Sequence, residues 1–96
     1  MGANEAVTPD RVPAWSLAAR IRNVRGTILV AGREQVFELD DSAAFVWRQI
    51  DGTRTIGEIG QALAAEYDVD PEGATRDVVE FVDDLVASEI LIVRDS

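Results

Sequence analysis

This sequence predicts an α+β domain, with a three-stranded antiparallel meander followed by three helices that fold over one face of the sheet. Three observations predict it. Residues 18–39 hold short β-rich apolar segments separated by brief breaks. After Asp40 the apolar residues recur at helical rather than alternating spacing. Each helical stretch opens on its own capping residue.

The strand region contains Ile21 and Val24, then Thr27-Ile28-Leu29-Val30, then Val36-Phe37-Glu38-Leu39. Gly26 breaks the first segment from the second, and Ala31-Gly32-Arg33-Glu34 the second from the third. Breaks this short make neighbouring strands antiparallel. Asp40 or Asp41 can cap a first helix whose apolar side is Ala43, Val46, Trp47 and Ile50, ending at Asp51-Gly52. Thr55-Ile56-Gly57-Glu58 is a capping box, followed by Ile59, Leu63 and Tyr67 at helical spacing. Asp70-Pro71 supplies a cap and a first-turn proline for the third helix. Its inward stripe is expected to be Val78, Phe81, Val82 and Leu85. Ile90-Leu91-Ile92-Val93 is either a last helical turn or a brief strand. Residues 1–16, with Pro9 and Pro13, are expected to form a flexible N-terminal arm, and 17–96 the single folded domain.

The 96 residues carry a net charge of −9, with nine arginines, no lysine, no histidine and no cysteine. Imidazole bases, thiolate nucleophiles, disulfides and ordinary zinc, haem or iron–sulfur sites are thereby excluded. Residues 70–96 hold eight acids against two arginines, net −6. Such a charge repels phosphate backbones and anionic membranes, so neither nucleic acid nor membrane is expected as a partner. There is no apolar run after a basic start to mark a signal peptide, and a cytoplasmic location is expected. No cofactor is expected, and the composition suits a binding protein rather than an enzyme.

Several motifs invite sharper readings. Asp41-Ser42-Ala43 resembles the phosphopantetheine site of acyl carrier proteins, which makes a carrier modified at Ser42 the alternative function. Carriers are all-helical, however, and helix capping explains the same residues. Asp77, Glu80 and Asp84 share one flank of the third helix, the pattern of a solvated face rather than of an acid–base pair. Asp68-Val69-Asp70-Pro71-Glu72 lacks the alternating ligands and central glycine of a calcium loop. The three helices beside a sheet resemble a winged helix-turn-helix, but the second helix has Glu58 and Glu66 and no basic residue to offer DNA. Trp47 belongs to the core, and Trp15 is expected to fold over a sheet edge.

The third strand stands out. Arg20, Arg22 and Arg25 guard the first strand's edge, whereas Gln35 to Leu39 has only Glu34 and Glu38. Alternation puts Phe37 and Leu39 on the helix side and Val36 and Glu38 on the other. That edge either accepts an extended peptide by strand addition or is covered by Ile90 to Val93.

Residues 17–93 resemble the PqqD-like family, the precursor-peptide recognition elements of ribosomally synthesised, modified peptides. Leu39-Asp40-Asp41-Ser42-Ala43-Ala44-Phe45-Val46-Trp47 matches that family's first-helix pattern, and Asp51-Gly52 its following turn. Asp77-Val78-Val79-Glu80-Phe81-Val82-Asp83-Asp84-Leu85 matches its third-helix run. Glu89 departs from the pattern, since many members have glycine there. The resemblance implies a non-catalytic adaptor that binds a precursor's leader peptide and delivers it to a modifying enzyme. It implies that the leader pairs with the third strand, through the backbone of Gln35, Val36, Phe37, Glu38 and Leu39, with Glu34 beside it. It further implies a helical wall of Arg76, Val79, Glu80 and Asp83, with Arg33 and Arg76 placed to take a leader carboxylate. Two settings fit: a lasso-peptide pathway with a leader peptidase and a cyclase, which is preferred, and a PQQ-type pathway with a radical-SAM enzyme.

Overall fold

The computed structural model describes residues 7–32 and 34–95, and Arg33 lies outside them. The elements run β1 (Val12–Trp15), β2 (Arg20–Val24), β3 (Thr27–Ala31), β4 (Val36–Leu39), α1 (Asp41–Gln49), α2 (Ile56–Tyr67), α3 (Pro71–Ala87) and β5 (Leu91–Arg94). The antiparallel meander and the three helices follow the sequence expectation. A second, two-stranded sheet is added to them.

The meander has the order β2-β3-β4. Its first hairpin turns on Arg25 and Gly26, both at positive φ (55° and 86°), as a two-residue turn matched to strand twist requires. The Asn23 side chain accepts from the Gly26 N–H at 3.0 Å. On the next hairpin, Val30 pairs with Phe37 and Ile28 with Leu39. These four point to the helices, with Val30 and Leu39 fully within the core.

The second sheet corrects the expected arm at residues 12–15, and residues 1–6 of it lie outside the described residues. Residues 12–15 form β1, antiparallel to β5, with Val12 opposite Arg94 and Trp15 opposite Leu91. Val12, Pro13 and Ala14 are buried. Pro13 reads as a strand breaker, yet it costs no ladder bond here. The Ser16 N–H donates to the Ile90 carbonyl, so by alternation Ala14 and Val12 face β5 with their backbone groups while the Pro13 nitrogen faces away. The preceding residues are also tied down: the carbonyls of Arg11 and Pro9 accept from Ile56 N–H and Gly57 N–H, each at 2.9 Å. Those are first-turn donors that α2 cannot satisfy internally. An ion pair between Arg11 and Asp95 joins the outer ends of the two strands.

The helices start where the sequence places them. Asp40 caps α1, accepting from the Ala43 N–H at 2.9 Å and from the Ser42 hydroxyl at 3.2 Å. Both halves of the capping box are formed: Thr55 Oγ1 accepts from Glu58 N–H, and Glu58 Oε1 from Thr55 N–H. Asp70 accepts from Gly73 N–H ahead of Pro71. Helices α2 and α3 pack so closely at Gly60 that a Cβ there would overlap the Thr75 side chain. Ile56, Ile59, Val78, Val82, Leu85, Ile90 and Leu91 form the centre of the core. After α3, Glu89 takes φ +64°, the conformation that glycine adopts most cheaply. The Ile90 N–H then reaches back to the Leu85 carbonyl at 2.8 Å. The turn therefore keeps the geometry of a glycine-ended helix without the glycine.

Trp15 stacks on Trp47, with ring centroids 5.3 Å apart and planes 9° from parallel. Trp47 is buried and Trp15 is 49% exposed. Trp15 thus covers α1 from the second sheet.

Candidate functional site

The final strand excludes the covered-edge reading of the third strand. β5 pairs with β1 and not with β4, so it does not cover β4. Among the described residues nothing pairs with the outer side of β4. The phase of the ladder then identifies its open groups. The Gly32 N–H donates to the Gln35 carbonyl at 3.0 Å, so residues 32 and 35 face each other across the hairpin. In an antiparallel ladder the facing pairs alternate. Given the register Val30 to Phe37 and Ile28 to Leu39, Phe37 and Leu39 direct their N–H and C=O groups to β3. Val36 and Glu38 direct theirs outward. Val36 is 67% exposed, so no side chain shields that end of the edge.

Beside the edge runs a cleft of about 780 Å³, lined by Glu34, Gln35 and Phe37 on the strand side. Asp84, Ala87, Ser88 and Glu89, at the end of α3, form the other wall. Phe37 is half-buried and forms the apolar floor. Ser88 Oγ donates to Gln35 Oε1 at 2.9 Å, bridging the two walls at one end. Gly32 allows that closeness, because a Cβ at 32 would overlap the Ser88 carbonyl oxygen and lie 3.0 Å from Ile90 Cγ1. Further along the same face of α3, Asp77 and Phe81 line a second cleft with Asp40, Ser42, Ala43 and Tyr67.

Glu34, Gln35, Val36, Phe37, Glu38 and Leu39 lie together on β4 and the bend before it. The position of Arg33 lies outside the described residues. Of the expected helical half, Arg76, Val79, Glu80 and Asp83 line neither cleft. Val79 packs partly against the core, one turn beyond Thr75 on the side of α3 that meets α2 at Gly60. Arg76, Glu80 and Asp83 are exposed. The part of α3 that lines the cleft with β4 is its end, Asp84 and Ala87 with Ser88, and Asp77 and Phe81 continue the Asp84 stripe at helical spacing toward α1 and α2. The sequence contained a signal for this in Gly60 and Thr75, whose small size marks where α2 approaches α3 and hence which flank is free.

Chemically, the site offers open backbone groups, an apolar floor and carboxylates. Among the described residues there is no cluster of three or more potential metal ligands. No helix among them is long and apolar enough to cross a membrane.

Comparison with known proteins agrees with this architecture. The family model described as coenzyme PQQ synthesis protein D (PqqD) matches residues 26–91. A protein of Xanthomonas axonopodis pv. citri (strain 306) named PqqA binding protein is 37% identical over 87 residues, covering 88% of this chain and 95% of that one. A solution structure of the PqqD truncation of Methylobacterium extorquens PqqCD, described as a functional, stand-alone recognition element for ribosomally synthesised and modified peptides, superposes with a TM-score of 0.68. It shares 30% identity and covers 84% of this chain and 88% of that one. Lasso peptide synthetase B1, solved with a leader peptide, superposes with a TM-score of 0.72 at 20% identity, over 83% and 96% of the two chains. At that identity the likeness is one of fold.

Proposed function

The chain belongs to the PqqD family, and on that premise we propose that it is a non-catalytic adaptor that binds the leader of a ribosomally made precursor and presents it to a modifying enzyme. The leader adds as a strand to the outer edge of β4, lying in the cleft between β4 and the end of α3. The observation that carries this reading is the unpaired edge at Val36 and Glu38 beside a half-buried Phe37. Open backbone groups supply affinity without regard to sequence, and the cleft supplies selectivity. The names given to the relatives at 37% and 30% identity, a PqqA binding protein and a peptide recognition element, support the same reading.

For the pathway, a PQQ-type precursor draws support from sequence identity with the PqqA binding protein, and a radical-SAM enzyme is the partner such a pathway would supply. The lasso-type setting, with its peptidase and cyclase, rests on likeness of fold and stands second. In either setting the precursor is made on the ribosome, and an adaptor in the cytoplasm would meet it there. The reading is tested by anisotropy of a labelled leader peptide of a PqqA-type precursor. Saturable binding at about micromolar or tighter, roughly −8 kcal/mol or more favourable, is expected. A folded protein that leaves the anisotropy unchanged contradicts it.

A further inference from the structure

Resting on that peptide-binding reading, we propose that the bound strand carries a lysine or arginine opposite Phe37, its stem on the Phe37 ring and its cationic head between Glu34 and Asp84. The ladder phase comes first. Because Val36 and Glu38 hold the open backbone groups, the added residue opposite Phe37 has its side chain on the same face as Phe37. That face is the cleft side. A residue one step earlier or later points away from α3 and meets no pocket.

The chemistry of the cleft then selects the side chain. Its lining includes the half-buried Phe37 and, from the α3 wall, the small Ala87. Its rims carry Glu34 and Asp84, both exposed, and neither forms an ion pair with another described residue. Gln35 and Ser88, the neutral polar groups of the lining, are bonded to each other, which leaves Glu34 and Asp84 to meet the ligand. An apolar leader residue there would bury Phe37 at the cost of dehydrating carboxylates, and an acidic one would be repelled. A lysine or arginine satisfies both surfaces, with an apolar stem on the ring and a cation at the rim.

The experiment is selection from a random dodecapeptide phage library on the immobilised, full-length protein, followed by affinities of the selected peptides in solution. Enriched peptides sharing a lysine or arginine at one fixed position are expected. Changing that residue to norleucine should weaken binding about ten-fold to the wild-type protein. The double variant Glu34→Gln, Asp84→Asn, checked for folding by circular dichroism, should erase the difference. Enriched peptides with no basic preference, or a preference that survives in the double variant, overturn the inference and leave the peptide-binding reading standing. No enrichment of any peptide on folded protein overturns both.

Discussion

Ser88 donates a hydrogen bond to Gln35 at 2.9 Å, tying the end of α3 to the start of β4 across 53 positions of sequence. Beneath it Gly32 lies so near the Ser88 carbonyl that no side chain fits between them. These contacts set the width of the candidate peptide cleft at one end. Ser88→Ala removes an exposed hydrogen bond and should cost about 0.5–1 kcal/mol. Gly32→Ala forces backbone apart and should cost about 2 kcal/mol or more. Urea denaturation of both variants checks the order. Equal stability of Gly32→Ala and wild type would mean that the two segments separate freely.

The direction of the backbone groups on β4 makes a proline test possible. Glu38→Pro deletes an outward N–H and spares the β3 ladder, as an edge strand tolerates. It should keep the fold and lower leader affinity more than ten-fold, with Glu38→Ala as the side-chain control. Phe37→Pro deletes a bond to β3 and should destabilise by about 3 kcal/mol. Thermal melts and anisotropy titrations together separate the two effects.

The tryptophan pair spans the two parts of the fold, and its members should differ sharply. Trp47 is 3% exposed, so Trp47→Ala leaves a cavity costing about 3–5 kcal/mol. Trp15→Ala loses a stacked but half-exposed partner and should cost about 1 kcal/mol. Similar losses for the two would contradict the packing described for the second sheet.

Acid stability should report on the turn between α1 and α2. Hydrogen bonds from the Thr53 N–H and hydroxyl and the Arg54 N–H hold the Asp51 carboxyl down at about 2, against an ordinary 3.8. A folded pKa below the unfolded one adds stability that is fully present above the unfolded value and is lost as pH falls through the folded one. The gap in urea midpoint between wild type and Asp51→Ala should therefore be constant near neutrality and narrow between about pH 4 and 2. A gap unchanged down to pH 2 contradicts the assignment.

The sequence was most legible where local chemistry decides structure. Asp40, Thr55 and Asp70 cap the three helices as their side chains require, and Gly26 with Arg25 turns the first hairpin. It was least legible where distant segments meet. Val12 and Ala14 flank a proline, so β1 looks like a loop until β5 arrives to pair with it. The same pairing uncovers β4, a fact held in no local pattern. The strand side of the cleft followed from alternation along Gln35 to Leu39. The helical side did not, because Phe81 lies on the boundary of the buried stripe, and only the approach of Thr75 to Gly60 shows which flank of α3 stays free.

Amide hydrogen exchange of β4, with and without the leader peptide, tests the central claim most directly. In the free protein the Val36 and Glu38 amides face outward and should exchange fast, while Phe37 and Leu39, bonded to β3, exchange slowly. Saturating leader should slow Val36 and Glu38 selectively, as strand addition demands. A leader that binds and leaves both amides fast would contradict pairing at this edge.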